Sequence, residues 1–250
     1  MTLNIDLNCD MGESFGAWKM GQDEQILPYV SSANIACGYH AGDASVMRHT
    51  VAQAIKHGVK LGAHPGLPDL VGFGRRNMAI SPENAYDITV VQIGALAAVA
   101  TSQGARLHHV KAHGALYSMA VKDVALAKAL AQAVYDVDPS LVTFVLAGSC
   151  MVEAAQHCGL TIKQEVFGDR TYQPDGSLTP RSEHNAMITD VDQSITQVLQ
   201  MTQKGFVTAV DGSHVALKAE TLCIHGDQPN AVIFAKAIKA ALEGAGITIT

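Results

Sequence analysis

IACGYHAGD, residues 35–43, ends an apolar run of strand character on two glycines, a tyrosine, a histidine and an aspartate. The same ending recurs in LGAHPG at 61–66, VKAHGALY at 110–117 and LCIHGD at 222–227. Each run leads within a residue or two into His40, His64, His113 or His225, bracketed by small residues. Parallel strands project the loops at their carboxyl ends onto one face of the sheet. If these runs are parallel strands, the four histidines share that face.

The surrounding sequence supports parallel strands. Apolar, β-branched runs at 3–8, 33–37, 59–63, 107–111, 142–146, 162–166 and 221–225 alternate with helical patterns at about 23–30, 44–57, 82–103, 123–135, 150–158, 190–203 and 229–243. Ser81 followed by Pro82 marks a helix start, and Gly58, Gly104, Gly159 and Gly205 mark stops. Strict βα alternation implies a parallel sheet. Seven units with no distinct linker predict a single (β/α) barrel over residues 1–250, with seven strands; a doubly wound open sheet is the competing arrangement. Two long loops, 64–81 and 167–187, interrupt the pattern, and long loops in compact domains are usually functional.

A chain of 250 residues with 48% hydrophobic content can bury a large core. A net charge of -6 without a Lys/Arg run argues against nucleic acid or an anionic membrane as partner. The near-apolar stretch 88–100 is too short to span a bilayer. No secretory signal precedes LNIDLNCD, and five cysteines without a C-x-x-C pair suit reduced thiols, so the expected location is cytoplasmic.

The residues able to carry chemistry fall at the strand ends. One histidine in such a place is more often structural, but four on one face point to a site. Asp6, Asn8, Asp10 and Glu13 come from the first strand and its loop, and Asp6 and Asn8 should point into the lumen. A buried inward carboxylate needs a cation, a metal or donors, which makes Asp6 a candidate base. Asp43 and Asp227 stand just before helices, where N-capping competes with a site role. Lys111 shares a strand face with His113, and Arg75, Arg76 and Arg170 supply further cations. His108 and His109 read as strand positions without a site role. Histidines, carboxylates and cations together suit hydrolysis of an amide or ester that bears a carboxylate. The chain has no G-x-G-x-x-G after a strand and no P-loop. Neither H-E-x-x-H nor a close H-x-H pair is present, which leaves a site-bound divalent metal open.

Six blocks, NCDMGESFGAW, ANIACGYHAGD, GAHPGLPDLVGFGRR, KAHGALY, FGDRTYQPDGSL and CIHGDQPNAV, resemble in order the signature blocks of the LamB/YcsF lactam-utilisation family. The resemblance spans residues 5 to about 240. It implies a seven-stranded (β/α) barrel related to glycoside hydrolase and deacetylase barrels. It also implies a component of a 5-oxoprolinase, which opens 5-oxo-L-proline to L-glutamate with ATP as co-substrate, Mg²⁺ accompanying the ATP, and subunits B and C as partners. Small departures are Ala112 for a usual proline, Ser118 for asparagine and Gly66 for serine. Asn185 and Asn230 stand where glycine is common, and Asn best tolerates a positive φ among other residues.

On this reading Asp6, His40, His64, Lys111 and His113 are catalytic candidates, and Asn8, Asp10, Glu13, Arg75, Arg170 and His225 are substrate-binding candidates. Lys111, Arg75 and Arg170 would hold phosphate and the substrate carboxylate, and the 167–187 loop would cover the site with Arg170 turned inward to an anion. Two other readings compete: a metal-dependent deacetylase or amidohydrolase working without ATP, and a non-catalytic regulatory protein that binds a small carboxylate. The sequence leaves self-association open.

Overall fold

The computed structural model describes residues 3–226 and 230–250. Its first half runs β1 (Asn4–Met11), α1 (Asp23–Ile26), β2 (Ser32–Ala36), α2 (Ala44–Lys56), β3 (Lys60–His64), α3 (Pro82–Ser102), β4 (His109–Lys111), α4 (Gly114–Ala120) and α5 (Val124–Val137). The second half runs β5 (Val142–Leu146), α6 (Cys150–His157), β6 (Ile162–Phe167), α7 (Val191–Leu199), β7 (Phe206–Thr208), β8 (His214–Ala216), β9 (Thr221–His225), α8 (Ala231–Gly244) and β10 (Thr248–Ile249). Strands β1 to β6 pair in order, β6 pairs with β9, and β9 pairs with β1, all in parallel. The β1–β9 pairing closes a seven-stranded barrel and rules out the open sheet.

Side-chain alternation sorts the first strand into two faces. Ile5, Leu7, Cys9 and Met11 join the apolar cluster shared with the helices. Asp6, Asn8 and Asp10 enter the lumen at three levels, opposite Thr221, Cys223 and His225 of β9. Above Asp6, the middle level is packed. Asn8 Nδ2 donates to Thr221 Oγ1 at 2.7 Å, and Asn34 Nδ2 donates to Asn8 Oδ1 at 2.8 Å. His109 donates from Nε2 to Asn34 Oδ1 at 2.8 Å and stacks on Phe144 with centroids 4.2 Å apart. Its ring crosses Gly62, where a Cβ would lie 2.0 Å from His109 Nε2, so only glycine fits there.

The helices form the outer layer. Ser81 caps α3 by accepting from the Asn84 amide, and Asp43 caps α2 by accepting from Ser45 and Val46. At 21 residues α3 is long and apolar enough to cross a bilayer, which corrects the reading of 88–100 as too short. Its mid-helix Gln92 is nevertheless buried, exchanging hydrogen bonds with the backbone of Gly66, so the helix is a layer of the barrel wall.

Four local expectations are revised. The 23–30 helix is one turn of α1 followed by a 3-10 turn at Leu27–Tyr29, because Pro28 has no amide to continue an α-helix. The 190–203 helix changes at Gln200–Lys204 into a π turn ended by Gly205 at φ 70. Neither Asn185 nor Asn230 uses a positive φ; Phe73, at φ 55, is the non-glycine residue that does among those described. The helix α4, the β7–β8 hairpin and β10, which pairs with the start of β1, lie outside the predicted elements. The cap expected of Asp227 falls outside the described residues.

Candidate active site

A cleft of about 900 Å³ opens at the carboxyl ends of the strands, with Asp10, His64, Lys111, His113 and His225 among its lining residues. Lys111 occupies the floor. Its ammonium lies 2.8 Å from Asp10 Oδ1 and 2.9 Å from Glu165 Oε1, and it donates to Cys223 Sγ at 3.0 Å and Asn8 Oδ1 at 3.3 Å. Burial alone would lower the lysine pKa, but the charges of Asp10, Cys223 and Glu165 outweigh it and hold the pKa well above the usual value. Lys111 is therefore a fixed cation and not a proton acceptor. Glu165 Oε2 accepts from the buried Tyr117 hydroxyl at 2.7 Å, which extends the cluster to α4. Burial likewise pushes the Asp10 carboxyl up, but His64 and Lys111 prevail and keep it well below the usual carboxylate range.

Beside this floor stand three imidazoles. His64 donates from Nδ1 to the Lys111 carbonyl at 2.7 Å, and His113 donates from Nε2 to the Phe73 carbonyl at 2.8 Å. A carbonyl cannot donate, so these bonds place a proton on His64 Nδ1 and on His113 Nε2. They turn His64 Nε2 and His113 Nδ1 towards each other at 3.0 Å. His64 Nε2 is also 3.3 Å from Asp10 Oδ2. His40 stacks face to face on His113 at 3.6 Å, and its Nε2 lies 3.2 Å from Glu13 Oε1. Burial pushes both His40 and His113 well below the usual imidazole range, which favours the neutral rings. Small residues bracket these histidines for a packing reason: a Cβ on Gly66 would lie 2.6 Å from His40 Nδ1, and one on Gly74 2.7 Å from His40 Cβ.

Guanidinium groups edge the cleft. Arg75 lies over the Phe73 ring, 4.8 Å from its centroid. Arg170 lines the cleft but donates from Nη2 to the Thr179 carbonyl at 2.6 Å and from Nε to that of Ala186 at 3.3 Å. Burial lowers its pKa to about 10. These two bonds tie down the 167–187 loop, whose residues 177–182 wall one side of the cleft. Arg181 in that loop donates to His225 Nε2 at 2.9 Å, while His225 Nδ1 donates to Asp169 at 2.8 Å. Burial pushes Asp169 up, but His225 and Arg170 outweigh it, so its pKa is lowered.

The structure thus brings His40, His64, Lys111, His113, Asp10, Glu13, Arg75, Arg170 and His225 to one end of the barrel. Two candidates fall elsewhere. Asp6 is at the opposite end, where Oδ1 accepts from Ser31 and Ser32 and Oδ2 from Thr221. It lies two lumen levels below Asp10, so its catalytic assignment is withdrawn. Asn8 is the packed level between them and does not line the cleft, so it positions Lys111 and Asn34 without a role in substrate binding. Arg76 also lines the cleft but is paired with Asp69. Sequence reasoning misses Glu165, Tyr117 and Arg181. Inward alternation on 162–166 points to Glu165, and Pro180–Arg181 in the 167–187 loop to Arg181, once a barrel is assumed.

Known proteins share this architecture. A structure titled lactam utilization protein, from Thermus thermophilus, superposes with a TM-score of 0.93 at 48% identity, covering 99% of each chain. A family 4 carbohydrate esterase from Streptomyces lividans, at 11% identity with a TM-score of 0.53, shares the fold alone. In sequence, a Bordetella pertussis protein named as the A component of 5-oxoprolinase is 66% identical over 245 residues, covering 98% of this chain and 97% of the relative. One of the same name from Bacillus subtilis is 59% identical over 246 residues, covering 98% and 96%. The family model described as LamB/YcsF matches residues 5–250. With its closed barrel and its cleft in place, and with a match that spans nearly the whole chain, the protein belongs to the LamB/YcsF family.

Proposed function

We propose that this chain is the A component of an ATP-dependent 5-oxoprolinase, opening 5-oxo-L-proline to L-glutamate together with subunits B and C in the cytoplasm. The observation that carries the reading is the cleft itself, which joins guanidinium groups at its edge to a floor of Asp10, His64, His113 and Lys111. The names of the relatives at 66% and 59% identity supply the reaction.

A lactam carbonyl is a poor electrophile. Phosphoryl transfer from ATP to its oxygen draws charge from the ring carbon and makes attack by water feasible. The adduct then breaks the C–N bond, the ring nitrogen leaves as the protonated amine of glutamate, and a second water releases phosphate from the resulting acyl phosphate. The substrate carboxylate pairs with Arg75 at the cleft edge, and the fixed charge of Lys111 stabilises negative charge developing near the floor. Asp10 and His64, 3.3 Å apart, orient the water, and one of them takes its proton. With no P-loop in 250 residues, ATP and its Mg²⁺ are held mainly by the partner proteins. An activated intermediate is protected from bulk water if the partners dock around the cleft.

The test is glutamate release from 5-oxoproline, with and without ATP, for the chain alone and with subunits B and C. Turnover is expected only from the complete set with ATP. Robust turnover by the chain alone without ATP would replace this reading with that of a lone hydrolase.

A further inference from the structure

We propose that Glu13, His64 and His113 form a binding site for one divalent transition-metal cation of the zinc class. One donor atom from each residue lies within 4.8 Å of every other. The close pairs are tighter: His64 Nε2 to His113 Nδ1 is 3.0 Å, and His113 Nδ1 to Glu13 Oε1 is 3.5 Å. A tetrahedral zinc ion with bonds of about 2.0–2.1 Å holds neighbouring donors roughly 3.3 Å apart.

The hydrogen bonds behind the donors point the same way. Metal-bound histidines characteristically donate their other ring N–H to a carbonyl or carboxylate, which fixes the coordinating nitrogen. His64 does so to Lys111 and His113 to Phe73. The Phe73 carbonyl is presented from a backbone at φ 55, a conformation that costs a bulky residue energy and is kept where its surroundings demand it. The result is two ring nitrogens facing one another with their protons fixed on the far side. A shared proton would satisfy one such pair, whereas a cation satisfies all three donors together. His40 stands behind the site: stacked in a plane parallel to His113 it cannot aim a lone pair at the same ion, and its Nε2 lies 3.2 Å from Glu13 Oε1 and holds that carboxylate in place.

The donor set selects the ion. Two imidazoles and one carboxylate suit zinc, cobalt or a similar ion, whereas magnesium prefers oxygen ligands. His64 and His113 line the cleft, so the cation borders the space where substrate binds. With both imidazoles committed to it, Asp10 becomes the group left to take a proton from water. The site follows from donor geometry and holds whichever reaction the cleft performs.

The test uses the full chain, stripped with a chelator and titrated with Zn²⁺ and Co²⁺ against a chromophoric competitor. One equivalent per chain is expected, with the intense visible absorption of four-coordinate Co²⁺. Glu13→Gln and His64→Ala should each weaken binding by about 10²-fold or more, whereas the exposed His57→Ala should bind as wild type does. Circular dichroism identifies any variant that fails to fold, and Glu13→Gln, the gentler change, then carries the comparison. The proposal is overturned if the stripped wild type takes up neither ion at micromolar concentration, if Mg²⁺ is preferred, or if the folded Glu13→Gln variant binds as tightly as wild type. Because the readout is binding, failure here leaves the oxoprolinase reading intact, and failure of that reading leaves the site intact.

Discussion

Asp6 and Asp10 lie four residues apart on one strand, point into the same lumen and are both buried, yet they occupy opposite chemical settings. At the lower end, Asp6 takes hydroxyl hydrogen bonds from Ser31, Ser32 and Thr221 at 2.6 to 3.0 Å, and the ammonium groups of Lys60 and Lys163 stay 3.9 Å away. At the upper end, Asp10 meets Lys111, Asn34 and His64 under an open cleft. The lower carboxylate is satisfied by hydroxyl donors, which hold β1, β2 and β9 together, with two lysines at the outer limit of ion-pair distance. The upper one belongs to an unevenly charged group that substrate can reach. Burial of a carboxylate is therefore no guide to its role; the identity of its partners and their access to the cleft decide it.

The strongest challenge to this contrast is Lys111→Met. It removes the cation shared by Asp10 and Glu165, and breaking a buried ion pair costs about 3–5 kcal/mol because the partner charge is left behind. Turnover in the complete enzyme should fall on the order of 10²-fold or more as well. Denaturant unfolding and steady-state assays measure the two losses. A variant as stable as wild type would mean that the lysine cluster does not bind the upper end together.

A paired substitution sharpens the comparison. Asp10→Asn should lower turnover on the order of 10²-fold, the usual scale for a positioned acid–base group. Asp6→Asn should leave turnover per folded molecule within about threefold while costing about 1–3 kcal/mol of stability, since an amide cannot accept all three hydroxyls. Equal losses of turnover in both variants would erase the division between the two ends.

Much of the upper end is legible in the sequence because the same signal repeats: an apolar run, a histidine, then small residues. Parallel pairing is enough to bring His40, His64 and His113 together. What alternation does not say is how far up the lumen a given carboxylate lies, since that depends on the register of β1 against β2 and β9. Asp6 looks as good a base as Asp10 for this reason. Glu165 escapes because IKQEVF reads as a half-exposed strand until barrel closure turns Lys163 and Glu165 inward. The β7–β8 hairpin does carry a local signal, Asp211–Gly212 between β-branched residues, but the stronger βα period masks it. The seven residues of α4 are too short to show a helical period, and their burial against the cleft is a tertiary effect.

The smallest expected effect concerns two carboxylates that tie the first loop to the rim. Asp23 accepts from the Gly12 amide at 2.7 Å, and Asp43 accepts from Gly16 at 2.7 Å. Burial pushes Asp23 up to about 6, whereas the Gly16 and Val46 amides pull half-buried Asp43 down. The two must then act on stability with opposite signs. A carboxyl with a raised folded pKa binds its proton more tightly in the native state, so its contribution is full below the unfolded value near 3.9 and is lost as pH rises through about 6. Relative to Asp23→Asn, wild type should lose about 2 kcal/mol between pH ~4 and pH ~6.5, a figure reduced from the full shift because Asp23 is partly exposed. Asp43 contributes above its unfolded pKa and loses that contribution as pH falls below about 4, so Asp43→Asn should differ most from wild type near neutrality. Urea unfolding of both variants from pH ~3.5 to ~7.5 checks the two signs together. Parallel curves for wild type and Asp23→Asn across that range would show that the Gly12 hydrogen bond cancels the effect of burial.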